Sequence, residues 1–167
     1  MASQASFDIT STVDLQEVDN AVNQARKEIA QRYDFKGSKT TIDFSRTEST
    51  IVLTTEDTFK MDAVWDILQT RMIRRNVPVK NLKLSDVEPV SGGMVTRTVT
   101  LQQGISSDAA KAIVKYLKDQ SLKKVQASIQ ADQVRVSSPS KDDLQQAIRV
   151  LKAHDFGVEL QFGNYRD

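Results

Sequence analysis

The hydrophobic spacing of this chain switches between a two-residue and a three-to-four-residue repeat, and it does so in the same order twice. "SFDIT" (6–10) alternates, with Phe7 and Ile9 on one side, and predicts a short strand. Leu15, Val18, Val22, Ala25 and Ile29 then fall three or four apart and form one stripe, behind Asp14 and Glu17 placed as a helix start. "TTIDFSR" (40–46) and "STIVLTT" (49–55) predict a hairpin of β-branched residues. A second helix is predicted over 56–75 with Val64, Ile67, Leu68 and Met72 inward, and "VKNLKLSDVEPV" (79–90) returns as a strand closed by Pro89. "SGG" at 91–93 is the strongest break. Beyond it come a strand (94–102), a helix opened by residues 106–108, and a hairpin of "VQASIQA" and "QVRVSS" turning near 131–132. A helix capped by Ser140 and "VELQF" (158–162) complete the set.

Strand–helix–strand–strand–helix–strand in each half predicts an α+β chain of two ferredoxin-like (βαββαβ) domains in tandem, 1–90 and 91–167. Each would be an antiparallel sheet with both helices on one face and the other face bare. In the second half, alternation turns Val99, Leu101, Val125, Ala127, Ile129, Val134, Val136, Leu160 and Phe162 toward the helices. The bare side is left with hydroxyls and amides around one cation, Arg135. With Phe7 in the core, no aromatic stands on the bare side of a central strand, so a standard RNA-recognition module is not supported.

"QRYDFKGSKT" (31–40) sets Arg32, Lys36 and Lys39 around Tyr33, Phe35 and Gly37. It is not a Walker loop, because the glycine follows the lysine and the segment trails a helix instead of opening one. Two readings stand. As a helix end, Gly37 caps, the cations complement the helix dipole, and the two rings plug the helix onto the sheet. As a binding element, Arg32 forks onto phosphate oxygens, Phe35 or Tyr33 stacks on a base, and Lys36 adds a point charge. "RMIRRNVPVKNLK" (71–83), which has no acidic residue, and the run of Lys111, Lys115, Lys118, Lys123 and Lys124 are further basic clusters. The terminal "LQFGNYRD" offers Asn164 for a base edge and Arg166 for a phosphate, just past a strand.

The whole chain carries 23 basic and 22 acidic residues, a net +1, so attraction to phosphate must come from such local clusters. Catalytic chemistry is poorly supplied. There is no cysteine, and the single histidine, His154, has no partner for a metal site, so neither a metal nor a cofactor is expected. "MASQASFDIT" lacks a secretion signal and no apolar run approaches the about 18 residues needed to span a bilayer, which reads as cytoplasmic.

In long blocks the sequence resembles the YajQ family of small bacterial proteins. The opening residues 6–40, "VSGG…VTLQQGI", "VQASIQADQVRV", "KDDLQQAI" and "LQFGNYRD" carry the resemblance, with Ala131 standing where relatives generally have glycine. The resemblance implies two ferredoxin-like domains with their first strands exchanged, so that 6–12 joins the second sheet and 94–101 the first. It also implies binding of nucleotides or nucleic acid, including cyclic di-GMP sensing relayed to a transcription regulator. The expected function is therefore non-enzymatic binding of cyclic di-GMP, GTP, ATP or RNA in signalling or gene regulation. The expected site residues are Arg32, Phe35, Lys36, Arg135, Asn164 and Arg166. The alternative is a protein-interaction adaptor whose polar sheet faces or "RMIRRN" helix docks a regulator or ribosomal component.

Overall fold

A computed structural model describes residues 4–122 and 124–167, so Lys123 of the basic run lies outside the described residues. Along the chain these form β1 (Ala5–Thr10), α1 (Leu15–Gln31), β2 (Thr41–Ser45), β3 (Thr50–Thr55), α2 (Thr58–Arg74), β4 (Leu82–Leu84), β5 (Glu88–Val90), β6 (Met94–Leu101), α3 (Ser107–Asp119), β7 (Gln126–Gln130), β8 (Gln133–Ser138), α4 (Lys141–Lys152) and β9 (Gln161–Arg166). Short 3-10 turns cover Tyr33–Phe35, Val79–Asn81 and Ser91–Gly93. The chain is α+β, with four helices and two antiparallel sheets among the described residues, in a ferredoxin-like arrangement.

Helix starts follow from local chemistry. The side chains of Asp14, Asp57, Ser106 and Ser140 each accept a hydrogen bond from a backbone N–H of the first turn that follows, satisfying donors the helix leaves open. Val18, Val22, Ala25 and Ile29 of the α1 stripe are buried as the spacing predicts, with Ala21 added and Leu15 half-buried at the helix start. The end of α1 differs from expectation. The helix stops at Gln31, Arg32 is extended, and Gly37 (φ +75°) closes the following 3-10 turn, where the Ser38 N–H reaches the Phe35 carbonyl at 2.9 Å.

The chain divides into two compact units, neither of which coincides with 1–90 or 91–167. One is the continuous stretch Val13–Gln102; the other joins residues up to Thr12 to Gln103–Asp167. In the continuous unit the strand order is β2-β3-β6-β4, with β5 also pairing β6. In the other unit it is β7-β8-β1-β9. The chain's first strand thus sits at the centre of the sheet built by its last third, and the strand after "SGG" sits at the centre of the sheet built by the first half. Val18, Val22, Ile51, Leu53, Leu68, Met72 and Val99 are fully buried in one core; Phe7, Ile9, Ile113, Val134 and Val136 are fully buried in the other.

The single strand expected over 79–90 is two short ones. Residues 85–87 break the run: the Ser85 hydroxyl accepts from the Thr98 N–H at 2.9 Å, and pairing to β6 resumes at Glu88. Pro89 does not close the strand but sits inside β5, opposite Val95, at a sheet margin that tolerates its missing N–H. At the other end of the chain, β9 continues through Arg166, so Asn164 and Arg166 belong to a strand and not to a tail beyond one. A register shift between Ser6 and Asp8 and the left-handed Asn164 (φ 53°) mark an irregularity there. No helix among the described residues is long and apolar enough to cross a membrane.

Candidate functional site

In the Val13–Gln102 unit, the segment after α1 folds into a loop fastened from below. Phe35 is 5% exposed, packed in the core. Its ring is covered by cations, with the Arg32 guanidinium and the Lys60 ammonium each 5.8 Å from its centroid. The stacking role expected of Phe35 thus falls on a ring that plugs the core, almost wholly buried and covered by cations. Tyr33, two residues earlier, is 90% exposed.

Past Gly37 the loop is tied down by a chain of hydroxyls. Ser38 donates to the Glu56 carboxylate, lies 2.6 Å from the Thr40 hydroxyl, and Thr40 lies 2.8 Å from that of buried Thr55. Lys60 completes the set with an ion pair to Glu56 at 3.4 Å. Partial burial, the largest influence on Glu56, pushes its carboxyl up; the Ser38 hydrogen bond, Lys60 and the Lys39 N–H together bring it below its ordinary value. Glu56 is thus a fixed anion that sets the loop and Lys60 in place.

Above this anchor lies a cleft of about 320 Å³ lined by residues 36–39, Glu56, Lys60 and residues 92–94. Three lysines face one carboxylate there. Lys36 and Lys39 make no ion pair among the described residues, which leaves their charge available. The far wall is the "SGG" turn, where Gly92 (φ +81°) and Gly93 (φ +73°) are left-handed in succession, a path that side-chain-bearing residues resist. A second hollow, of about 480 Å³, adjoins it, formed by residues 30–33, Phe35 and residues 36–38. Lys36, Gly37 and Ser38 border both.

Arg32 lies on the rim of that hollow with its charge largely answered. It pairs with Asp34 at 2.9 Å and with Glu28 at 3.4 Å, and Glu28 also holds Arg71 at 2.8 Å. Arg71, then Arg32, hold Glu28 below the usual carboxylate range. Two arginines of the "RMIRRN" run are likewise engaged internally, Arg71 by Glu28 and Arg75 by Glu17 at 2.7 Å, while Arg74 is exposed.

The remaining expected residues, Arg135, Asn164 and Arg166, lie in the other unit and share one feature that sequence reasoning missed, Asp8. This carboxylate is 6% exposed on the non-helix side of β1. Arg135, its register partner on β8, donates from Nε at 2.9 Å, and the Asn164 amide donates at 2.6 Å. The Arg135 hydrogen bond above all holds the Asp8 carboxyl below its ordinary value, with Asn164 and the charge of Arg166 adding to it. Arg135 and Asn164 are therefore spent on a buried partner, Arg135 half-buried and Asn164 exposed beside it, and Arg166 is exposed without a direct bond to Asp8.

A depressed folded-state pKa stabilises above the unfolded value and loses that contribution as pH falls through the folded one. The Asp8 contribution is therefore expected intact above about pH 4 and lost on further acidification. Thermal unfolding of Asp8→Asn compared with wild type should show a smaller fall in Tm between neutral pH and pH 2; parallel curves would deny Asp8 this role.

Lys39 stands in the basic motif, but Glu56, Lys60 and the two glycines carry no sequence signal that ties them to it. Lys60 reads as an ordinary first-turn residue of α2, and "SGG" reads as a domain break. Only the sheet order brings them together. His154 stacks on Tyr116, with ring centroids 4.5 Å apart, and leans on Phe156. No group of three or more His, Cys, Asp or Glu suited to a metal ion occurs among the described residues.

Compared with known proteins, residues 5–166 match the family model described as "Nucleotide-binding protein YajQ-like". Similar curated relatives include a "Nucleotide-binding protein" of Geotalea uraniireducens, 54% identical over 96% of this chain and 98% of its own length. Another, from Trichlorobacter lovleyi, is 51% identical over 97% of this chain and 99% of its own. A more distant one, from Bacillus mycoides, is 49% identical over 99% of this chain and the whole of its own.

Proposed function

Because the chain belongs to the YajQ-like family, we propose that it is a non-enzymatic nucleotide-binding protein and that the cleft beside residues 36–39 receives the phosphate. The observation that carries this reading is the convergence of Lys36, Lys39 and Lys60 on one cleft against the single carboxylate of Glu56. Lys36 and Lys39 supply the unpaired charge, and Lys60 is steadied by Glu56. Tyr33, the accessible ring of the motif, is the surface on which a base stacks from the adjoining hollow. Arg32 keeps a share in this scheme as a rim cation, exchanging Asp34 for phosphate. The ligand is a nucleotide free in solution, cyclic di-GMP, GTP or ATP, or a nucleotide within RNA; all present the same phosphate chemistry to the lysines. Passing the bound state to a transcription regulator would make it a signalling protein.

Calorimetry with cyclic di-GMP, GTP and ATP tests this on wild type and on Lys36→Glu/Lys39→Glu. Removing two charge-assisted contacts is expected to weaken binding of the accepted nucleotide by about 100-fold or more, with the nucleotide recovered unchanged after long incubation. If RNA is the ligand, the salt dependence of its binding should become shallower in the variant. Equal affinity in both proteins would remove the cleft from the function, and turnover would overturn the non-enzymatic reading.

A further inference from the structure

The sheet of the discontinuous unit ends on one side at β7. β7 and β8 are joined by a two-residue turn, with Gln130 opposite Gln133. In such a hairpin the flanking pair and every second pair beyond it exchange the ladder hydrogen bonds, so Gln130, Ser128 and Gln126 face β8. The N–H and C=O groups of Ala127 and Ile129 then point outward. Natural sheet edges are commonly blunted by charge, proline or a bulge. β9, at the opposite edge, has an irregular register and an arginine. β7, "QASIQ", has no charge, no proline, no glycine and an unbroken register over its five residues.

Beside this edge lies a groove of about 290 Å³ between α3 and the start of β7, lined by Val114, Leu117, Lys118, Val125, Gln126 and Ala127. Ile129, on the same side of the strand, is 44% exposed, in contrast to the buried helix-facing position that alternation predicts. Lys111, Lys115 and Lys118 repeat at helical spacing along the exposed face of α3, and Lys124 is exposed before β7; the exposed acids of α3 are Asp108 at its start and Asp119 at its end.

We propose that the open edge of β7 and this groove accept an extended segment of a partner protein as an added strand, with apolar side chains in the groove and acidic residues on either side of them. Main-chain bonds to Ala127 and Ile129 supply the attachment. The apolar floor and the lysines select the side chains. Charge decides the occupant: a second copy of this chain would bring an edge strand with no acid and the same lysines, whereas an acidic segment neutralises them. The surface is independent of the lysine cleft, so a protein that binds no nucleotide could still bind this segment.

The probe is the blocked peptide ESVSVSE, whose valines and glutamates share one face in a strand, with KSVSVSK as its charge-reversed control. Amide exchange in the full-length protein should slow about tenfold or more at Ala127 and Ile129 with the acidic peptide and not with the basic one. Lys118→Glu, a surface change that leaves the core alone, should reverse the preference. Ala127→Pro, which removes an outward N–H and sets a rigid ring on the edge, should abolish protection at Ile129 by either peptide. Absence of protection at millimolar ESVSVSE, equal protection by both peptides, or protection that rises with protein concentration alone would each overturn the proposal, the last by giving the edge to a second copy.

Discussion

Cut between residues 90 and 91, the chain should yield two fragments that do not fold, while residues 13–102 alone should unfold cooperatively. The first fragment lacks β6, which pairs with β3, β4 and β5; the second lacks β1, which lies between β8 and β9. Each loses a central strand, and with it the ladder on both sides and the core residues it carries: Val99 and Leu101 in one case, Phe7 and Ile9 in the other. Losses of that size exceed the about 5–15 kcal/mol by which domains of this length are stable. The stretch Val13–Gln102 keeps all its strands and its core. Circular dichroism with urea titration checks the outcome, and adding a peptide of residues 4–12 to 91–167 should restore a cooperative transition. A cooperative transition in either half alone would contradict the strand pairing.

Phe35→Ala should lower stability by about 3 kcal/mol or more, because truncating a buried phenylalanine removes apolar burial and leaves a void. Phe35→Leu should recover much of this and bind nucleotide as wild type does. Tyr33→Ala should do the opposite, leaving stability within about 0.5 kcal/mol of wild type while weakening binding several-fold through the lost stack. Urea denaturation and calorimetry on the three variants separate the roles. Loss of binding in a stably folded Phe35→Leu would return the aromatic contact to residue 35.

These two expectations mark where sequence reasoning succeeds and where it stops. The α1 stripe, the caps at Asp14 and Ser140, and the hairpin turning at 131–132 are written in local spacing and side-chain chemistry, and the structure follows them. Pairing is not local. "SFDIT" and "MVTRTVTLQ" both alternate, and a period of two says which face is buried but not which sheet receives the strand. The resemblance, and not the period, implied the exchange. Likewise "RYDFKG" shows rings among cations but not that Phe35 turns inward while Tyr33 turns outward. Asp8, one acid in an alternating strand, gives no hint that Arg135 and Asn164, far along the chain, close over it. The lysine cleft needs Lys60 and the "SGG" turn, which only sheet order brings to Lys36 and Lys39.

The position of β1 also bears on how the protein is made. A ribosome releases Phe7 and Ile9 well before their partners on β8 and β9, which emerge only after Val13–Gln102 has been able to complete itself. At about 5–20 residues per second β1 waits roughly 6 to 30 seconds as an apolar strand without a sheet. Chaperones that shield an emerging strand until its sheet is made should therefore matter to the yield of this chain.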